Sequence, residues 1–117
     1  MCIRDSCDAE GEDPQVTAAR ELQEEVELQA EHWRKLLTTY PSAGITSELH
    51  HIYLARGLSH ASRGDFEMHA EEAELETVWV PFEELLDAVL DERVREGPLA
   101  LAVLAYEVLR TRAKVEP

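Results

Sequence analysis

Residues 12–28 read EDPQVTAARELQEEVEL, a stretch with the features of an amphipathic helix that has a defined start. Asp13 can act as the N-cap, and Pro14 suits the first helical position because that position needs no backbone N–H donor. Apolar side chains recur at helical spacing, and we expect this stripe to face the core: Val16, Ala19, Leu22 and Val26. The stretch therefore predicts a helix that packs its apolar side on the rest of a domain.

Three carboxylates lie largely off that stripe, at Glu21, Glu24 and Glu25. Their spacing of i, i+3 and i+4 puts them on one side of a helix, one turn apart. Like charges at this distance repel, and a hard divalent cation such as Mg²⁺, which prefers oxygen ligands, would relieve the repulsion. A solvated acidic helix surface explains the same residues. The cluster by itself leaves both a metal site and an ordinary acidic surface open.

The composition describes one acidic globular domain. The chain has 117 residues, of which 25 are Asp or Glu and 11 are Lys or Arg, for a net charge of -14. This charge disfavours the nucleic-acid backbone and anionic membranes as partners. No apolar run approaches the ~18 residues of a membrane span, no secretory signal is visible, and two cysteines are too few for a disulfide framework. We therefore expect a cytoplasmic protein.

The rest of the chain alternates between strand and helix patterns. Strand, turn, strand, long polar loop and strand are predicted in this order: 32–40, 41–44, 48–58, 59–74 and 75–80. Pro81 and Pro98 mark the starts of two further helices. The expected buried stripe of the last helix consists of Leu101, Leu104, Ala105, Val108 and Leu109. This order of elements predicts a mixed α/β layered domain.

A family resemblance rests on the opening stretch and on its context. The segment from Glu12 to Leu28 matches most of the Nudix box, G-x5-E-x7-R-E-U-x-E-E-x-G-U. Four further segments resemble the ADP-ribose pyrophosphatase branch of that family: GEDP at 11–14, YPSAG at 40–44, YLARGL at 53–58 and HAEEAELETVWVP at 69–81. The resemblance implies a Nudix-type α/β/α sandwich with a mixed sheet. It also implies a metal-dependent hydrolase with Mg²⁺ or Mn²⁺ as its cofactor.

The resemblance also implies roles for the residues of the box. Glu21, Glu24 and Glu25 would coordinate the metal ions that bridge a substrate's pyrophosphate, and Glu21 would count among the catalytic residues. Arg20 would also count among the catalytic residues, because it would pair with a box carboxylate and hold that carboxylate in position. Its planar guanidinium suits this task. Glu12 would be an orienting or structural residue. The box helix is therefore expected to be the metal-binding half of a site.

Residues outside the box complete the implied site. The family's catalytic base often lies on the late loop, where Glu71 is our first choice and Glu72 the second. Glu48 sits where relatives also carry an acidic residue, and Ser42 and Gly44 could shape a phosphate or ribose pocket. These three are weaker assignments, because a surface glutamate and two loop-forming residues need no ligand to explain them.

Two positions depart from the box. The first box glycine would fall inside residues 1–6, MCIRDS, which read like the translation of a sequencing adapter. We therefore interpret residues 1–6 as a scar and leave them out of the fold prediction, with a genuine short N-terminus as the alternative. Residues 7–117 are then expected to be a partial Nudix domain that lacks its N-terminal strands. Glu27 replaces the second box glycine, which serves a left-handed turn at the helix end. We expect an altered helix exit that keeps the metal side of the helix.

The implied reaction is hydrolysis of the pyrophosphate bond of ADP-ribose or a related nucleoside diphosphate sugar, giving AMP and ribose 5-phosphate. The partner would be that small molecule, with no nucleic acid and no membrane, and the full-length parent would be a homodimer. Residues 1–117 alone are expected to turn over substrate weakly or not at all, because upstream strands and contacts would be missing. The alternative is a non-catalytic acidic α/β interaction domain in which the box carboxylates are plain surface.

Overall fold

The computed structural model describes residues 2–7, 12–64 and 77–112, and its elements form a mixed α/β fold. In chain order they are β1 (Cys2–Cys7), α1 (Pro14–Val26), β2 (Leu28–Thr39), β3 (His50–His60), α2 (Phe82–Leu90) and α3 (Gly97–Thr111). The predicted α/β class is confirmed. Among these residues, no helix combines the length and the apolar character that crossing a bilayer requires.

The strands of the described residues form one antiparallel sheet with β3 in the centre, between β1 and β2. Residues 51–55 of β3 are all buried, because both faces of a central strand are covered. The pairing of β2 with β3 sets Trp33 opposite Ala55 and changes register between Lys35 and Leu37. β2 and β3 therefore form a long hairpin, and α1 leads directly into its first strand.

Helices cover both faces of this sheet. One face and α3 share a buried apolar cluster: Leu36, Ile52, Leu54, Ala102 and Tyr106. Phe82 of α2 meets the Tyr106 ring edge-on, with 4.8 Å between the ring centroids. On the other face, α1 packs on all three strands and buries Ala18 and Leu22 completely. The domain is a sandwich in which the sheet separates α1 from α2 and α3.

The buried sides of α1 and α3 differ from the predicted stripes. In α1, Val16 is 57% exposed, whereas Thr17 is buried together with Ala18 and Leu22. In α3, three predicted stripe residues are exposed: Leu101, Leu104 and Val108. The buried residues of α3 are instead Ala102, Val103 and Tyr106. Because α3 is apolar around most of its circumference, helical spacing could not decide which side faces the sheet.

Both ends of the predicted strand order also need correction. Residues 1–6 were left out of the fold prediction, and the backbone of Cys2–Cys7 forms the edge strand β1; an adapter origin stays a prediction. Residues 77–80 were assigned to a strand, but they are irregular and pair with no strand in the described part of the chain. Trp79 in this segment is 66% exposed. The predicted loop is shorter at its start because β3 continues to His60, and residues 65–76 lie outside the described ranges.

Candidate functional site

The N-terminal end of α1 is fixed by contacts between near neighbours in sequence. Asp13 has an extended backbone at the N-cap, and its Oδ1 accepts a hydrogen bond from the Gln15 N–H at 2.8 Å. Pro14 takes the first helical position, and the Thr17 N–H donates to the Asp13 carbonyl at 3.0 Å. The predicted start of the helix is confirmed, and it follows from the capping chemistry of two adjacent residues.

Arg20 lies between two carboxylates at this end of the helix. Its Nη2 donates to Glu12 Oε1 at 3.1 Å, and its Nη1 donates to Glu24 Oε2 at 3.3 Å. The Thr17 hydroxyl donates to the same oxygen of Glu12. Arg20 therefore connects Glu12, in the segment before α1, to Glu24, one of the three box carboxylates. The Glu24 carboxylate is held by this ion pair one turn away on the same helix.

These contacts shift two pKa values. The hydrogen bond from the Thr17 hydroxyl, followed by the one from Arg20, lowers the pKa of the Glu12 carboxyl below its usual value. The hydrogen bond to Glu12 raises the pKa of the Arg20 guanidinium. Both groups therefore keep their charges over the neutral pH range, and their attraction holds Glu12 beside α1.

The C-terminal end of α1 is held by residues that are distant in sequence. Glu27 adopts the left-handed conformation, with φ 53° and ψ 46°. The expected alteration of the exit is therefore wrong, because glutamate takes the left-handed turn that glycine commonly makes at a helix end. The Gln23 side-chain amide donates to the Ser62 carbonyl at 2.6 Å, and the Ala61 N–H donates to the Glu27 carbonyl at 3.0 Å. The exit of the helix is therefore joined to the segment that follows β3.

Arg63 contacts the same exit through all three nitrogens of its guanidinium. Nε donates to the Glu24 carbonyl at 2.8 Å, Nη2 donates to the Glu25 carbonyl at 3.3 Å, and Nη1 pairs with the Glu27 carboxylate. We call this set of contacts the Arg63 clamp. The sequence carried no local signal for it, because an arginine in a polar loop gives no indication of a partner 39 positions away.

The weaker substrate assignments lie on the loop that joins β2 to β3. The Ser42 carbonyl accepts hydrogen bonds from the N–H groups of Ile45 and Thr46, each at 3.0 Å, and closes a turn. Gly44 lines a surface cavity of about 420 Å³ in this loop, and Glu48 is exposed. Because β2 spans roughly 36 Å at about 3.3 Å per residue, the loop lies at the end of the hairpin remote from the exit of α1.

The comparison with known proteins identifies the family of this domain. The sequence matches the NUDIX domain family over residues 8–100. The chain belongs to the Nudix family. The matched range contains α1, the whole β2–β3 hairpin and α2, so α1 is the box helix of a Nudix domain.

Two curated relatives of this Nudix chain are named as ADP-ribose pyrophosphatases. It is 38% identical over 104 residues to an ADP-ribose pyrophosphatase from Mycobacterium tuberculosis, a match that covers 89% of this chain and 49% of that protein. An ADP-ribose pyrophosphatase from Bacillus subtilis is 33% identical over 93 residues, 80% of this chain and 49% of its own. These matches confirm the resemblance to ADP-ribose pyrophosphatases.

A third relative carries a different substrate in its name. The CMP-5'-(N-acetyl-N-hydroxy-3-aminopropyl)phosphonate hydrolase of Streptomyces rubellomurinus is 40% identical over 94 residues, which is 80% of this chain and 44% of that protein. The chain therefore spans about half the length of the curated relatives it matches. Similarity at this level identifies the Nudix family without fixing one substrate.

The box helix of this Nudix chain offers suitable donors for a divalent metal. Glu21, Glu24 and Glu25 are half-buried on α1, and carboxylate oxygens are ligands that hard divalent cations prefer. Over the described ranges, no three His, Cys, Asp or Glu side chains are gathered closely enough to hold an ion. The donors fit the metal by their chemistry and their common side of the helix, without a preformed cluster in those ranges. Glu71 and Glu72 lie outside the described residues.

Proposed function

We propose that this Nudix domain hydrolyses the pyrophosphate bond of ADP-ribose or a related nucleoside diphosphate sugar, giving AMP and ribose 5-phosphate. One observation carries the proposal: the box acids and Arg20 occur at family spacing on a single capped helix, in a chain similar to two ADP-ribose pyrophosphatases. The contacts of Arg20 with Glu12 and Glu24 give that helix a fixed ionic framework. The substrate would be a small molecule, which agrees with a net charge that disfavours nucleic acid and anionic membranes.

Glu21, Glu24 and Glu25 would hold Mg²⁺ or Mn²⁺. When bound, the cation supplies positive charge that neutralises the diphosphate oxygens and orients the diphosphate for attack. This charge matters in a chain of net charge -14, because an anionic substrate would otherwise be repelled. Arg20 would keep the Glu24 carboxylate in place through its ion pair, and Glu12 would keep Arg20 in place.

The catalytic base would be Glu71, with Glu72 as the second choice. The base takes the proton of the attacking water, whose oxygen bonds to phosphorus while the bond from phosphorus to the bridging oxygen breaks. The described segment that leads toward Glu71 begins beside the exit of α1, where Arg63 contacts the box helix. Eight residues of extended chain reach at most about 29 Å, so a base at Glu71 is within reach of the box carboxylates.

The loop between β2 and β3 would contribute weaker substrate contacts. Glu48 would accept hydrogen bonds from sugar hydroxyls, Gly44 would border the cavity of about 420 Å³, and Ser42 would shape the turn beside it. Because this loop is remote from the exit of α1, these contacts are the weaker part of the proposal, which the box helix carries without them. We further propose a cytoplasmic homodimer for the full-length parent.

The test is release of AMP from ADP-ribose with Mg²⁺ present, in residues 1–117 and in a version extended to the length of the relatives. We expect turnover in the extended protein and weak or no turnover in residues 1–117, because the chain spans about half of its relatives. Glu25→Gln should remove most of the turnover of the extended protein without unfolding it. The matched control is Glu84→Gln, an exposed acid on α2.

Two results would contradict the proposal. One is an extended protein that releases no AMP, which would favour a non-catalytic acidic interaction domain. The other is unchanged turnover in Glu25→Gln, which would exclude the metal assignment. A set of other nucleoside diphosphate sugars, assayed in parallel for release of the nucleoside monophosphate, decides the substrate class.

A further inference from the structure

The exit of α1 combines an unfavourable backbone conformation with two residues proposed to bind the metal. Glu27 has the positive φ that glycine adopts at lower cost. Glu24 and Glu25 lie in the last turn before it, where the final carbonyls of a helix lack partners within the helix. The directions in which these two carboxylates leave the helix therefore depend on whatever holds the last turn.

The Arg63 clamp supplies that restraint. Its guanidinium donates to the backbone carbonyls of both Glu24 and Glu25 and pairs with the carboxylate of Glu27. A planar guanidinium presents these donors in a fixed arrangement, which a lysine ammonium does not reproduce. Its positive charge also lies at the negative end of the helix dipole.

We propose that Arg63 is a positioning residue of the candidate metal site, and that it fixes the Glu24 and Glu25 backbone to the segment after β3. A glycine at position 27 would make the left-handed turn but would offer Arg63 no carboxylate. Glu27 makes the same turn and adds an ion pair with Arg63, which helps to hold the helix exit in place. The inference rests on the proposed function, since it concerns the proposed metal ligands. It adds a residue outside the box to the determinants of metal affinity.

Electrostatics alone predicts the opposite effect of losing Arg63. A cation beside the site repels Mn²⁺, so removing its charge without moving any ligand would tighten Mn²⁺ binding. Removing the clamp would loosen the last turn of α1 and weaken Mn²⁺ binding. The direction of the change in affinity therefore separates a positioning role from a purely electrostatic one.

The first experiment is calorimetric titration of the 117-residue chain with Mn²⁺. We expect Arg63→Gln to weaken binding about 10-fold, as is typical for residues that orient metal ligands. Arg63→Lys keeps the charge and loses the planar donor group, so it should weaken binding in the same direction by a smaller factor. The charge control is Arg95→Gln, at an exposed arginine whose Nε donates to the Glu92 carbonyl three positions earlier, and it should leave affinity within twofold.

The second experiment is amide hydrogen exchange in metal-free protein, which reads the clamp without any ligand. In Arg63→Gln, the amides of Glu27 and Ala61 should exchange about 10-fold faster, because their bonds to Gln23 and Glu27 close the exit of α1. The Thr17 amide is the internal control at the other end of the helix and should not change. Arg63→Lys covers the case in which the glutamine variant does not fold.

Each result decides between the possibilities. Unchanged exchange at Glu27 and Ala61 overturns the clamp, and Mn²⁺ affinity that is unchanged or tighter in Arg63→Gln overturns the positioning role. Faster exchange with a wild-type chain that binds no Mn²⁺ overturns the metal-site role of Arg63 in this chain, whereas AMP release by the extended protein tests the proposed function separately. Faster exchange together with weaker Mn²⁺ binding in both Arg63 variants supports the proposal.

Discussion

The two ends of α1 are secured in different ways. At the N-terminal end, partners come from at most eight positions away, as in the contacts of Arg20 with Glu12. At the C-terminal end, partners come from 34 to 39 positions away, across the complete β2–β3 hairpin. The start of the helix can therefore form as soon as the local chain does, whereas its exit becomes fixed only after β3 has joined the sheet.

This difference bears directly on the proposed site. Glu24 is held at its side chain by Arg20 and at its carbonyl by Arg63, so it links the locally secured end of α1 with the remotely secured one. The proposed metal-binding carboxylates lie toward the remote end, where Glu27 stands in place of the family glycine. Stability measurements on each end test whether the two ends are as independent as the contacts indicate.

The largest expected effect comes from removing the anchor in the middle of the helix. Leu22 is fully buried against the sheet, so Leu22→Ala should lower the free energy of unfolding by about 2–5 kcal/mol through lost apolar contact and a residual cavity. Urea denaturation measures it. Val16→Ala, at a predicted stripe position that is 57% exposed, should change stability by less than about 0.5 kcal/mol. Equal losses of stability in both variants would mean that Val16 packs in the core as the sequence predicted.

The next effect isolates the backbone conformation at the exit. Glu27→Ala and Glu27→Gly both remove the carboxylate that pairs with Arg63, but only alanine keeps a Cβ at φ 53°. The glycine variant should therefore be more stable than the alanine variant by about 1–2 kcal/mol. Thermal and urea unfolding of the two proteins side by side measure this difference. Equal stabilities would mean that the left-handed turn costs nothing in this chain.

A slightly smaller effect is expected at the locally secured end. Asp13→Ala removes the side-chain acceptor of the Gln15 N–H and should cost about 1 kcal/mol of stability, whereas Asp13→Asn keeps an acceptor and should remain near wild type. The 13 residues of α1 span roughly 20 Å. The losses from Asp13→Ala and Glu27→Ala should therefore add in the double variant. A double variant far from additive would show that the two ends are coupled.

The smallest effect is a pH dependence at Glu12. Its pKa is lowered from 4.5 in the folded protein, so its contribution to stability is fully present above that pH and is lost as the pH falls through the folded value. Glu12→Gln should therefore be less stable than wild type near neutral pH, and the two melting temperatures should converge in acid. Melting curves between pH 7 and about pH 2.5 test this, and a difference that persists unchanged in acid would contradict it.

The fold could be predicted from the sequence where short-range chemistry decides the structure. Asp13 and Pro14 set the start of α1, as their capping chemistry predicts. The spacing of the Nudix box also predicted that the three proposed ligands share one side of α1, because it follows directly from one helical turn. In each case the deciding partners lie within a few residues of one another.

Features that depend on distant partners could not be predicted. The predicted buried side of α3 was wrong because several sides of this helix are apolar. Only the packing around Tyr106 determines which side faces the sheet. The exposed segment at 77–80 has strand-like composition without a strand neighbour in the described part of the chain. The role of Arg63 in the candidate site could not be predicted for the same reason. Its partners on α1 become its neighbours only when the β2–β3 hairpin forms.

The measurement that tests the central claim most directly is Mn²⁺ binding by the 117-residue chain with the box acids neutralised together. The triple variant Glu21→Gln, Glu24→Gln and Glu25→Gln should abolish binding in a calorimetric titration. A matched triple variant on α2, Glu83→Gln, Glu84→Gln and Asp87→Asn, removes the same charge from exposed positions and should bind Mn²⁺ as wild type does. Binding that survives loss of the box acids, or that falls equally in both triple variants, would contradict a metal site on α1.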